Sequence, residues 1–275
     1  PWLDAKPTYQ AAQQLQLAGS GVTVAQPHVQ LSDGLDLAGG RHKVLVLTGD
    51  GSFCNRTCLG EIPERSELLV RARKDAKLCF RASDSGQKGA RRFYAQEKFT
   101  PEQVRQEASR DWKTTKIFYG GKRRKSRYKE VAEVYWQRGA KQRPLRLIVI
   151  APTPYRKSKS KKLYYRDPAY LLTTDLNSST RQLLQIYFDR WQIEVNHREE
   201  KDTLGVGQAQ LWNVTSVPKQ PVLAVAAYSA LLLASLKAFG AERGAAYAQL
   251  PKWRRSARRP SCLDLITLLR QESSH

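Results

Sequence analysis

Methionine is absent from all 275 residues, and the chain begins at Pro1. A complete gene product starts with Met, so the expectation is a sequence missing its beginning. Cysteine is scarce. Cys54, Cys58, Cys79 and Cys262 form neither a C-x-x-C pair nor a His-supported set, which excludes a zinc ribbon or a disulfide scaffold. Cys54 and Cys58, four apart, read as buried thiols on a helix, and a reducing, cytoplasmic setting fits. No apolar run reaches the roughly 18 residues of a membrane span, and no signal-peptide pattern is present. The most apolar segment, Val222 to Leu236, reads as a buried helix. Acidic residues are few: 25 against 47 Lys and Arg, a net charge of +22. That imbalance points to a polyanionic partner, nucleic acid foremost. Small basic nucleic-acid-coating proteins are poor in Trp, whereas this chain has six Trp and twelve Tyr, enough aromatic volume for real cores.

What is present is an α/β pattern. Residues 8–18 read as a helix, and a second helix is expected before about residue 40. Lys43 to Thr48 is a near-continuous apolar run closed by Gly49 and Asp50, the pattern of a strand buried on both faces. A helix over Ser52 to Leu59 and a strand over Glu67 to Arg73 complete a βαβ unit. Ser83 to Arg92 reads as a loop and Ala95 to Trp112 as helix. Lys113 to Arg127 is strongly basic, with Gly120 and Gly121 at a turn. Glu130–Trp136 and Leu145–Ile150 read as paired strands, Tyr155–Lys162 as a second basic loop, and Tyr164–Thr174 as a strand. An apolar helix over 222–238, a basic tail from Lys252 to Arg259 and a short helix over Cys262–Glu272 close the chain.

The most informative stretch is Tyr187-Phe-Asp-Arg190-Trp-Gln-Ile-Glu194-Val-Asn-His-Arg-Glu-Glu-Lys201. On one continuous helix, at about 100° per residue, Tyr187, Arg190, Glu194, His197 and Lys201 fall in a band roughly 80° wide. Leu184, Phe188, Trp191 and Val195 form a second stripe expected to face a core. A solvated face with ordinary i,i+4 ion pairs is the plain alternative. A carboxylate placed among phosphate-binding groups needs a reason, and holding a divalent cation against a phosphodiester is a good one.

The Tyr-x2-Arg-x3-Glu-x6-Lys spacing resembles the YREK signature of bacterial insertion-sequence transposases of the DDE type. So do the following Asp202-Thr-Leu-Gly205-Val-Gly207-Gln-Ala-Gln210 and the preceding Tyr170-Leu-Leu-Thr-Thr-Asp175-Leu. The run Leu47-Thr-Gly-Asp50-Gly-Ser-Phe-Cys-Asn55 is similar to the surroundings of that family's second catalytic Asp, and Leu69–Ala76 to the strand after it. The resemblance implies Asp50 and Glu194 as catalytic metal ligands for Mg²⁺ or Mn²⁺. It implies Tyr187, Arg190 and Lys201 as contacts to DNA phosphates. His197 lies outside the signature and is expected to face DNA or support the stripe, Asp175 to cap a helix, and Asp75 to be a solvated strand-end charge.

The implied architecture is a partial RNase H-like fold, residues 1–79 and 163–240. A β-rich basic insertion over 80–162 interrupts it, and a tail over 241–275 follows. Aromatics of the insertion (Trp112, Tyr119, Tyr135 and Trp136) are candidates to stack on an unpaired base or to pack its own small core. The family's first Asp has no counterpart among Asp4, Asp33 and Asp36, none of which ends a buried strand. The segment is therefore expected to be an N-terminally truncated transposase, inactive by itself. The partners expected are double-stranded DNA at transposon ends and target, with a homodimer on DNA, in the bacterial nucleoid. A catalytically dead remnant that only binds DNA is the alternative, and an unrelated basic binding module a third.

Overall fold

The structure is a computed structural model. It describes residues 32–37, 39–83, 92–119, 122–156, 162–208, 212–239 and 262–273. The expected helix at 8–18 and the basic run Lys252–Arg259 lie outside these. Residues 32–37 are helical (α1), and Asp36 pairs with Arg65 at 2.8 Å. The described residues divide into two compact units: one runs to Arg190, and those from Trp191 onward, with Lys122, belong to the other.

In the first unit the expected buried strand is β1 (Leu45–Gly49), every residue of it buried. It runs parallel to β2 (Ser66–Arg71), from Leu45↔Ser66 to Gly49↔Val70. The connection expected as one helix is two short pieces, a 3-10 turn at Gly51–Phe53 and α2 (Arg56–Gly60). Asn55 separates them: it is extended (φ −136°, ψ 171°), and its side chain accepts from Cys58 N, so it starts a new helix instead of continuing the old one.

Beyond β2 the sheet continues to β8 (Ala169–Thr173), β5 (Leu145–Ile150), β4 (Lys122–Val134) and β3 (Lys113–Tyr119), in the order β1-β2-β8-β5-β4-β3. Strands β2, β8, β5 and β4 pair antiparallel, so the sheet is mixed. It crosses the boundary drawn from sequence at residue 162, because β5, assigned to the insertion, is a hydrogen-bonded neighbour of β8. Side chains alternate across it with the period of two that strands impose. Leu47, Leu68, Val70, Leu147 and Leu172 pack on one face with Leu59, Leu78 and Val104. Val46, Leu69, Ile148 and Leu171 pack on the other with Leu183, Leu184 and Ile186 of α4 (Thr180–Asp189).

The helix expected over 95–112 is only α3 (Pro101–Gln106). A Thr100–Gln103 capping box opens it, and Glu107, in non-helical backbone (ψ 109°), closes it. Lys129, 2% exposed, donates to the carbonyls of Val104, Arg105 and Glu107 and lies 4.9 Å from the Trp112 ring. This buried ammonium satisfies carbonyls at the helix end that would otherwise lack partners.

Helix α4 is fastened to the sheet twice. At its start, Arg146 donates to the carbonyl of Ser178 (2.6 Å), to Glu130 (2.7 Å) and to the Thr180 hydroxyl, which itself donates to Glu130. Further along, Gln185 accepts from Phe118 N (2.8 Å) and donates to Phe118 O (3.0 Å). Strand β3 ends the sheet order, so the carboxamide stands where another strand would pair. Gln185→Ala is expected to cost about 1–2 kcal/mol for these two bonds and to speed hydrogen exchange at the Phe118 amide. Unchanged protection of that amide would show that Gln185 does not guard the edge.

The second unit holds, among the described residues, α5 (Gln192–Asp202), α6 (Lys219–Phe239) and α7 (Cys262–Ser273). The Tyr228 hydroxyl of α6 reaches Glu199 Oε2 (2.8 Å) and Asn196 Oδ1 (3.1 Å) on α5. The expectation that Val222–Leu236 is buried is not met. Tyr228 and Ser235 are buried, whereas Val222, Leu223 and Leu233 are about two-thirds exposed or more. The described part of this unit has too few elements to surround an apolar helix. By length and composition alone, α6 is long and apolar enough to cross a membrane, which is weak evidence for a span.

Candidate functional site

Asp50 stands immediately after β1 and caps the 3-10 turn. Its Oδ1 accepts from Ser52 N (2.9 Å) and from the Ser52 hydroxyl (2.5 Å). The Ser52 hydroxyl bond is the main reason its carboxyl titrates below the usual range. Partial burial opposes the shift, and the Ser52 amide and the Arg190 guanidinium support it. The turn needs Gly49, since a Cβ there would lie 2.7 Å from Cβ of Phe53. A strand end thus presents an ionised carboxylate near the arginine of the signature, 140 positions later in the chain.

The signature itself is not one helix, which corrects the single stripe expected over Tyr187–Lys201. Helix α4 stops at Asp189, Arg190 and Trp191 form a turn, and α5 begins at Gln192. Both turn residues keep right-handed helical dihedrals, but Trp191 supplies no side-chain cap. The hydrogen-bond ladder is therefore interrupted without a breaker residue to announce it. Trp191, expected on the core face, is 50% exposed.

The proposed site residues divide accordingly. Asp50, Tyr187 and Arg190 belong to the first unit, with the Arg190 guanidinium 5.9 Å from the Tyr187 ring. Glu194 and Lys201 belong to the second, both exposed on α5. His197 is exposed there too, 3.3 Å from Glu200. The less exposed side of α5 carries Asn196 and Glu199, whose contact raises the Tyr228 hydroxyl, first by burial and then by the Glu199 bond.

Asp175 does not cap a helix. It is buried, and its Oδ1 accepts from Asn177 N and Ser178 N, while Ser179 caps α4. Asp75 is exposed and paired with Arg73 at 2.8 Å. Cys54 is half-buried, and burial pushes its thiol up to about 12. Among the described residues, no three His, Cys, Asp or Glu side chains gather to hold a metal ion. A two-metal centre needs more donors than Asp50 brings to its own unit.

Of the four aromatics nominated from sequence, Tyr135 is buried and Trp112, Tyr119 and Trp136 are partly buried. Tyr135 is 6% exposed in the core. Trp136 packs against that core, and a Cβ at Gly139 would meet its ring at 2.1 Å. Trp112 is partly buried beneath Arg127 and Lys129. Tyr119 packs on Phe188 at 4.9 Å.

A cavity of about 900 Å³ beside Asp50 was not legible in the sequence; Gly51, Arg71, Lys74, Arg105 and Tyr170 are among its lining residues. Within it Arg105 grips Glu102 with two bonds and, helped by the Tyr170 hydroxyl, holds that carboxyl down at about 2. Lining residues drawn from β2, α3 and β8 meet only through the fold. Comparison with protein-family models and with curated proteins finds no match to this chain.

Proposed function

We propose that this chain is part of the RNase H-like catalytic domain of a DDE-type DNA transposase. Such an enzyme cuts DNA at transposon ends and joins the freed 3′ hydroxyl to target DNA. The observation that carries the proposal is Asp50: an ionised carboxylate at the end of a buried parallel strand, within the electrostatic reach of Arg190. In this reading Asp50 and Glu194 are ligands of Mg²⁺ or Mn²⁺, which would stabilise the attacking and leaving oxygens when bound. Arg190 forks onto a phosphate, Lys201 adds a point charge, and Tyr187, beside Arg190, contacts the phosphates as well. The net charge of +22 supplies the nonspecific part of DNA affinity. In this reading the protein acts on double-stranded DNA in the bacterial cytoplasm, as a homodimer across paired transposon ends.

The test is DNA binding as a function of salt. Arg190→Ala and Lys201→Ala are each expected to weaken binding across sequences and to reduce the slope of log K against log salt by roughly 0.9. If both variants keep the parent affinity and slope, the phosphate contacts are wrong. A chain that binds DNA this way, yet in which Asp50 and Glu194 affect no cleavage, is the DNA-binding remnant instead.

A further inference from the structure

We infer that the short β6–β7 ribbon is a stacking surface for the unpaired bases of single-stranded DNA, an inference that rests on the proposed DNA-handling role. The ribbon pairs β6 (Pro154–Tyr155) with β7 (Tyr164–Tyr165) antiparallel, Pro154 opposite Tyr165 and Tyr155 opposite Tyr164. It forms a two-stranded sheet separate from the six-stranded one. Three of its four residues are tyrosines. Tyr155 is 36%, Tyr164 39% and Tyr165 63% exposed.

Their arrangement separates a fastening role from a binding one. Tyr155 and Tyr164 are directly opposite and share a face, with ring centroids 5.7 Å apart. That pair strengthens the ribbon as cross-strand aromatics do. Tyr165, one residue on, points to the opposite face. It is the most exposed of the three and makes no aromatic pair with the other two. A phenol ring this exposed, opposite only Pro154 in its own ribbon, is a surface for another flat group.

The surroundings select which group. Exposed Arg156, Lys162 and Arg166 flank the tyrosines, giving charge complementarity to a polyanion. Arg166 anchors the ribbon: its guanidinium lies 5.7 Å from the Tyr119 ring and 5.6 Å from the Tyr155 ring, and it donates to the Tyr119 hydroxyl at 2.8 Å. Its amide bonds to Thr153 O at 2.9 Å. Arg124 approaches the same Tyr119 ring at 6.0 Å. Cations tracking a phosphate backbone beside exposed aromatic faces are the combination that binds single strands with little sequence preference. A duplex keeps its base faces stacked inside and offers the rings nothing but edges and backbone.

The experiment measures binding of the whole chain to oligothymidine and to a duplex of equal length by fluorescence anisotropy. Tyr165→Ala is expected to weaken oligothymidine binding about tenfold and to leave duplex binding within about twofold, while Tyr165→Trp restores single-strand binding. Arg166→Ala, which frees the anchor, is expected to weaken single-strand binding as well. Equal loss on both DNAs, or no loss with Tyr165→Ala, overturns the stacking role while leaving the transposase proposal standing. Failure of the parent chain to bind either DNA overturns both.

Discussion

Glu194→Gln and Asp50→Asn, made separately in the polypeptide that carries this segment, are each expected to lower Mg²⁺-dependent DNA strand cleavage by roughly a thousandfold. That is the rate equivalent of about 4 kcal/mol of lost charge stabilisation at the reacting phosphate. DNA affinity is expected to stay within about twofold, because neither carboxylate attracts phosphate by itself. Asp202→Asn is the control, an exposed acid at the end of the same helix as Glu194, and should cleave like the parent. The isosteric amides keep volume and remove the charge, so packing is not confounded with ligation. Cleavage that survives Glu194→Gln would remove the third carboxylate from the mechanism. If Asp50→Asn alone were silent, the role of the β1 strand end would fall.

The two carboxylates stand in unlike environments. Asp50 is held by the Ser52 amide and hydroxyl and sits near Arg190, so its position and its ionised state are both determined by neighbours. Glu194 is exposed on the first turn of α5. Its assignment rests on the spacing within the signature and on the family that spacing resembles.

The parts of the fold that were legible were those decided by local pattern. A run such as Leu45–Gly49, buried on both faces, admits few alternatives, and the Leu145–Ile150 strand is equally apolar. What could not be read depends on partners far away in sequence. Nothing near Lys129 shows that its ammonium will close a helix some 25 residues earlier. Nothing in Gln185 shows that it will bracket the edge of β3. The break at Arg190–Trp191 was invisible for the opposite reason: no Gly, Pro or Asn marks it, and both residues stay in the helical region. The β6–β7 tyrosines were divided between an expected loop and an expected strand, so their pairing, and with it the exposed face of Tyr165, emerged only from the register.

The network that roots α4 makes a second strong prediction, in acid. Burial alone would raise the Glu130 carboxyl, but hydrogen bonds from Arg146, Lys113 and Thr180 outweigh it and hold the group at about 2 against an ordinary 4.5. A carboxyl depressed in the folded state stabilises the fold above its unfolded value, and that stability is lost as pH falls from about 4.5 towards 2. The drop corresponds to roughly 3 kcal/mol. Glu102, gripped by Arg105 and also held at about 2, acts in the same direction. Glu67 acts in reverse: burial raises it, assisted by Asp175, so its protonation relieves a cost instead of adding one. Urea denaturation at roughly pH 7 and pH 3 should therefore show a large loss for the parent chain. Glu130→Gln should be destabilised near neutrality and lose less between the two pH values than the parent, because one of the two depressed carboxyls is gone while Glu102 still titrates. Lys113 and Arg146 would each lose a charged partner, and the Thr180 end of α4 would exchange its amides faster. Parent and variant curves that fall in parallel with pH would show that Glu130 does not carry the acid sensitivity, and that α4 is held by its apolar face instead of by the ion network.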